Sequence, residues 1–391
     1  MTESIKTPYF VINKESLENR LCKLKDALQS SWPNYVIGYS YKTNSLPWAI
    51  SFFKENGCYA EVVSDDEYYL AKSIGAGQII YNGIAKNKET FLEAVRNRYI
   101  VNIDAEYEID WLDDLQRDVN EDYAVGIRVN FDLETDCPGQ TQCGEEGERF
   151  GFCYENGELK RAIDRIISKD IRIAGIHLHK SSKTRMPDIY RAIAEHAVEI
   201  SQRYNLELSY VDIGGGFFGG LETKPQFSEY FDMISGILKQ HFDPSKTVLI
   251  TEPGMALIGA SVDYVTTVLD VKKTTRNTFV VTDGSRTQID PLMTKNSYFY
   301  EIVRNGEKRC VADSQIISGF TCMEHDRLFT IKNEEALAPG DIIIYHKVGA
   351  YTMCLTPLFI KWFPEVYIND KEIFHKARNK WTVEDYVSES V

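Results

Sequence analysis

The stretch IAGIHLHKSSKTRMPDIYRAIAEHAVEISQRYNLELSYVDIGGG (173–216) decides the fold. It opens on a β-branched run, passes through a polar turn into a helical pattern, and closes on a second apolar run that ends in three glycines. In the middle segment Ile189, Ile193, Ala197, Ile200 and Tyr204 recur at spacings of three and four, which predicts one buried helical stripe. Working outward, six more short β-branched or aromatic runs share this texture: VIGYSYK (36–42), YAEVVS (59–64), QIIYNG (78–83), YIVNID (99–104), AVGIRVN (124–130) and VLITEPGM (248–255). Most are followed by a helical pattern. Eight strand-helix alternations predict an α/β fold, a (β/α)8 TIM-like barrel in preference to an open sheet, although the pattern does not force that choice.

Beyond Gly259 the texture changes to DYVTTVLDV, NTFVVTDGS, SQIISGF, RLFTI and DIIIYHKVG, short strand-like runs without long helices. A C-terminal β domain follows. The expected division is a barrel over 25–258 and a β domain formed by 1–24 with 259–391, because TPYFVI stands outside the eight-strand count and is free to pair with the later strands. The formal charge of −14 disfavours nucleic acid and anionic membrane as partners. No basic-then-apolar leader and no membrane-length apolar run is seen, so the expected location is the cytoplasm. Eight dispersed cysteines without a CxxC pair read as reduced thiols, and neither Cys137 with Cys143 nor any other grouping is taken as a metal site.

Polar residues gather at the C-terminal ends of the strand runs, where barrels build their sites: Lys42, Ser64, Asn82, His179, Gly214 to Gly216 and Glu252. A lysine sheltered at a strand end can attack an aldehyde as the neutral amine, whereas an exposed one is an ordinary solvated cation. Three consecutive glycines let backbone N–H groups approach an anion, and phosphate sites in barrels favour the late loops; alone, such a run is a plain turn. Glu252, in a rigid Pro-Gly turn, is placed to pair with a pyridinium nitrogen if it is not merely solvated. His177 and His179 are read as facing opposite sides of one strand, so that a single imidazole lines the mouth and stacks on a flat cofactor, and a zinc pair is set aside.

The ordered series YSYKTN, AEVVSDDE, RFGF, GIHLHKSS, DIGGGF, EPG, GFTCMEHDR and GAYTM resembles the motif series of the fold-type III decarboxylases that act on diaminopimelate, ornithine, arginine and carboxynorspermidine. The resemblance spans almost the whole chain and implies pyridoxal 5'-phosphate as cofactor. It implies Lys42 as the residue that carries the cofactor, His179 as the ring-stacking imidazole and Glu252 as partner of the pyridine nitrogen. Glu61 takes the family's acidic position beside the cofactor, and Gly214, Gly215, Gly216, Ser182 and Tyr351 take phosphate-binding positions. Cys322 matches the cysteine that a second subunit inserts into the site, where it can protonate the carbanion, so a homodimer with shared sites is implied.

Departures stand beside these matches. Met255 replaces the arginine of EPGR, Asp290 occupies a substrate-arginine position, Met323 replaces the glutamate after the cysteine, and TDCPGQTQCGEEGE does not reproduce the substrate-loop pattern. Asp290, Glu324, Asp326 and Met255 are therefore candidate substrate contacts. The expected activity is α-decarboxylation of an amino acid or an amino-acid conjugate, free or carrier-bound, other than meso-diaminopimelate, in polyamine or specialised metabolism. The rivals are a racemase on the same barrel, which would pair the ring nitrogen with arginine, and a non-catalytic homologue, which would not keep both Lys42 and Cys322.

Overall fold

A computed structural model describes residues 5–115 and 122–388. The chain divides into two compact units, Arg20–Ala256 and Met1–Asn19 with Leu257–Val391. The first unit is a closed barrel of parallel strands: β1 (Tyr35–Ser40), β2 (Tyr59–Val62), β3 (Ile79–Tyr81), β4 (Ile100–Ile103), β5 (Ala124–Asn130), β6 (Arg172–His177), β7 (Tyr210–Asp212) and β8 (Val248–Thr251). Each falls inside or against one of the eight runs read from the sequence. β8 pairs with β1 through Leu249 and Tyr35, and β4 with β5 through Asn102 and Gly126, which closes the ring. A two-residue strand, Phe152–Cys153, adds to β5 beside the RFGF motif and was not anticipated.

The strands are short because both of their faces are covered, so each needs only one brief apolar run. Helix Pro187–Tyr204 buries Ile189, Ile193, Ala197 and Ile200 as the periodicity predicts. It starts on a proline, which suits the first turn, and ends at Asn205 in the left-handed conformation. Inside the barrel, Ile80, Ala174, Tyr210 and Ile250 form a core cluster. Tyr210 occupies the space that side chains at Gly126 and Gly175 would fill: a Cβ at Gly126 would meet its hydroxyl, and one at Gly175 would meet its ring. Glycine on β5 and β6 therefore lets one tyrosine cross the interior.

The second unit is a mixed sheet. Strand Tyr9–Asn13 lies between Val262–Lys273, antiparallel to it, and Glu365–Asp370, parallel to it. TPYFVI thus pairs with the later strands, as its position outside the barrel count suggested. Val262–Lys273 also pairs with Thr278–Thr282 and Ile342–His346, and the hairpin Val311–Ser318 with Arg327–Glu335 extends the sheet from Thr278–Thr282. Among the described residues no helix is long and apolar enough to cross a membrane.

Candidate active site

Lys42 lies in a single 3-10 turn, Tyr41–Thr43, directly after β1. Its Nζ donates to Glu61 Oε2 at 2.6 Å, and Ser40 Oγ donates to the same oxygen at 2.5 Å. Asn82 Nδ2 donates to Glu61 Oε1 at 3.1 Å and to Glu252 Oε1 at 2.5 Å. Asn102 Nδ2 supports Asn82 Oδ1 at 2.8 Å, and the Tyr210 hydroxyl donates to Asn102 Oδ1 at 2.8 Å. Six strands so contribute to one polar network. Glu61 and Glu252 are buried in it, while about a third of the Lys42 side chain stays accessible, 37% against 0% for Glu61. Both carboxylates are supported by donors, which is what permits charge in a dry setting.

Beneath this network His177, Asp212 and Glu252 bring ligating atoms within 4.8 Å of one another. Burial, and then the charge of Glu252, raise the Asp212 carboxyl well above the ordinary carboxylate range. Burial acts the same way on Glu252, but His177, Lys42 and the Asp212 hydrogen bond outweigh it and hold this group low. Two adjacent buried carboxyls cannot both ionise cheaply, so the proton resides on Asp212 and the charge on Glu252.

His179 is half-buried. Burial, with Arg128 nearby, pushes its imidazole down to about 3, so it is neutral at pH 7. The Gly215 N–H donates to its Nδ1 at 3.2 Å, which leaves the proton on Nε2. The expectation that His177 and His179 face opposite sides fails: their rings lie near-parallel with centroids 6.3 Å apart. Residues two apart on a strand share a face, and the error was in the alternation, not in the choice of residue.

Gly214 and Gly216 take φ of +67° and +91°, in the left-handed region. A Cβ at Gly214 would meet the His179 ring, and one at Gly215 would meet the Glu252 backbone carbonyl. The loop is thus pressed against both neighbours and only bare backbone fits. Ser182 Oγ accepts from the Thr184 and Arg185 N–H groups and shapes the loop after β6. Met255 is half-buried just past Glu252.

In the second unit the candidates separate. Cys322 is exposed in the turn between strands Val311–Ser318 and Arg327–Glu335. Asp326 is buried and its carboxylate is consumed in shaping that turn, accepting from Ser285 Oγ at 3.0 Å, Arg286 N at 2.8 Å and Thr321 Oγ at 2.6 Å. Asp290 is likewise buried, with Arg286 Nε at 2.9 Å, Tyr298 OH at 3.0 Å and the Thr294 and Lys295 N–H groups at 3.1 Å. Both were expected as substrate contacts; both instead have their oxygens spent inside the protein. Glu324 is exposed and pairs with Arg327 at 2.9 Å. Tyr351 is exposed, with φ +56°.

Sequence reading passed over Ser40, Asp212, Asn102 and Arg128. Ser40 and Asp212 each stand two residues before a chosen position, Lys42 and Gly214, and that spacing was the available signal. Arg128 is buried and meets Asp104 at 3.2 Å, yet among the described residues its Nε has no hydrogen-bond partner. Among the described residues both His177 ring nitrogens and Asp212 Oδ2 also lack one, with His177 Nε2 3.5 Å from Glu252 Oε2. Unsatisfied buried polar atoms beside a glycine cradle and an accessible amine fit a polar, anionic, carbonyl-bearing ligand, and the donor set suits pyridoxal phosphate.

A barrel with this lysine, buried carboxylate and glycine loop at its C-terminal mouth defines a pyridoxal-phosphate enzyme of fold type III. Residues 15–259 match the family described as pyridoxal-dependent decarboxylase, pyridoxal binding domain. The chain belongs to that family; it is a carboxy-lyase and its cofactor is pyridoxal phosphate. It is 28% identical to a probable chloroplastic diaminopimelate decarboxylase of Oryza sativa subsp. japonica, covering 98% of this chain and 79% of the relative. Against the diaminopimelate decarboxylase of Aquifex aeolicus it is 25% identical, covering 91% and 84%. The crystal structure of diaminopimelate decarboxylase from Methanocaldococcus jannaschii shares the fold with TM-score 0.86 at 21% identity, covering 99% and 92%.

These relatives overturn the exclusion of meso-diaminopimelate. Full-length similarity runs to enzymes of that name in plants, bacteria and archaea. The exclusion rested on the absence of arginine at Met255 and Asp290, with Asp290 expected to repel a distal carboxylate; the Asp290 carboxylate is instead buried against Arg286, which offsets its charge.

Proposed function

We propose that the chain decarboxylates meso-diaminopimelate, releasing CO2 and leaving L-lysine. The observation that carries this reading is similarity along 91% or more of the chain to relatives named for that reaction, joined to a site whose residues suit it. Bound pyridoxal phosphate supplies the aldehyde that takes up the substrate amine and the ring that accepts electrons from the breaking Cα–carboxylate bond. Lys42 holds the cofactor and yields it to the substrate amine. Glu61, on the Lys42 ammonium, keeps that nitrogen at the strand end and accepts its proton. Glu252 keeps a proton on the ring nitrogen, and Asn82 fixes the distance between the two carboxylates. His179, neutral and flat, covers one face and excludes water.

Tyr351, Ser182 and the three glycines are assigned to the cofactor phosphate. Cys322, at the tip of a turn tied down by Asp326, is assigned to protonation of Cα in the site of a second subunit, so the working form is a homodimer. With meso-diaminopimelate, purified enzyme should yield CO2 and L-lysine in equal amounts, and Lys42→Ala should yield neither. Loss of substrate without lysine would overturn the assignment.

A further inference from the structure

We infer that Arg185 binds the cofactor phosphate in place of the arginine missing at Met255. The inference rests on the assignment of the glycine loop to that phosphate. Met255 follows Gly254 in EPGM, where the family it resembles carries arginine, so this segment has one positive charge fewer. The chain after Gly216 returns to this place: Gly219 packs so closely on Ala256 that a Cβ there would meet the Ala256 carbonyl oxygen. Phe218, one residue earlier, therefore lies beside the segment that holds Met255.

Arg185 approaches the same loop from the β6 side. Its guanidinium centre lies 5.5 Å from the Phe218 ring centroid. Its backbone is pinned at two points: the N–H donates to Ser182 Oγ at 2.8 Å, and the carbonyl accepts from the Tyr230 hydroxyl at 2.5 Å. Tyr230 in turn packs on Tyr190 and Phe217, and the Tyr190 hydroxyl donates to the Gly215 carbonyl at 3.0 Å. The residue takes φ +53°, a conformation that arginine holds here against its own preference. Among the described residues the guanidinium has no hydrogen-bond or ion-pair partner, so its donors are available to an anion at the glycine loop. A planar fork of donors suits phosphate. The neighbouring cation, Lys224, is 5.3 Å from the same ring but exposed, and is the natural control.

The test is a binding titration of apoenzyme, followed by absorbance, with pyridoxal phosphate and with pyridoxal, which lacks the phosphate. Arg185→Gln should weaken pyridoxal phosphate by about ten- to a hundred-fold, the range of one charge-assisted hydrogen bond, and leave pyridoxal unchanged. Arg185→Lys should recover part of the loss, and adding Met255→Arg to Arg185→Gln should recover most of it. Lys224→Gln should change neither constant. Equal weakening of both ligands would show a packing role and overturn the inference, as would an unchanged pyridoxal phosphate constant or a loss that follows Lys224. Wild-type enzyme that binds both ligands equally would instead refute the phosphate assignment of the glycine loop itself.

Discussion

Gly215→Ala tests the placement of the glycine loop most sharply. Its backbone conformation is open to alanine, so the cost is steric: the new Cβ would lie 2.1 Å from the Glu252 carbonyl oxygen, where ordinary contact begins at 3.4 Å. Because the obstacle is backbone, the loop must move by roughly the difference, 1.3 Å. The same residue donates its N–H to His179 Nδ1 at 3.2 Å, so the shift also breaks the contact that orients the imidazole. Overpacking of this kind costs about 1–3 kcal/mol of stability. A phosphate contact lengthened by that amount is lost, which weakens pyridoxal phosphate binding by about ten- to a hundred-fold. Urea unfolding followed by circular dichroism reads the first quantity, and absorbance titration of apoenzyme reads the second. A folded variant with wild-type cofactor affinity would refute the cradle.

Gly236 is the counter-case: it lies in helix Phe227–Leu238 with nothing within 4 Å of a built Cβ, so Gly236→Ala should raise stability by about 0.5–1 kcal/mol in the same unfolding assay. The Lys86–Glu108 pair, at 3.0 Å with both side chains fully buried, braces the loops after β3 and β4, and Glu108 also accepts the Asp104 N–H. Glu108→Gln should cost about 3–5 kcal/mol by stranding a buried ammonium, whereas the double change Lys86→Met with Glu108→Leu should cost much less than the sum of the single changes, as a double-mutant cycle would show. Glu67, pushed up to about 7 mainly by burial, binds a proton more tightly in the folded than in the unfolded chain. Its contribution is therefore full below pH about 4.5 and is lost as pH rises toward 7, a span of about 3 kcal/mol that Glu67→Gln should flatten in unfolding measured across that range.

The barrel was legible because each of its strands is a short apolar run, and six of the eight end in a polar or glycine-rich group, so one reading located both the element and most of its functional residues. Lys42, Glu61, His179 and Glu252 follow from that position together with the family's motif order. What escaped were residues whose role depends on partners distant in sequence. Asn102 is held by the Tyr210 hydroxyl across 108 positions, and Asp212 keeps its proton through burial and then the charge of the neighbouring Glu252. The surroundings of Asp290 escaped for the same reason: motif alignment gave its position, but only the fold shows Arg286 and Tyr298 closing over it. Substrate choice was the least legible part, since removing one arginine from a motif says nothing about which other cation takes its place.

The most direct test of the central claim is the ratio of kcat/KM for meso-diaminopimelate to those for L-ornithine, L-arginine and L-lysine, measured as CO2 release by one enzyme preparation saturated with pyridoxal phosphate. The account predicts a ratio of about a hundred or more in favour of meso-diaminopimelate, because a site that recognises the distal polar group rejects substrates that lack it. A higher kcat/KM for any of the other three would contradict it.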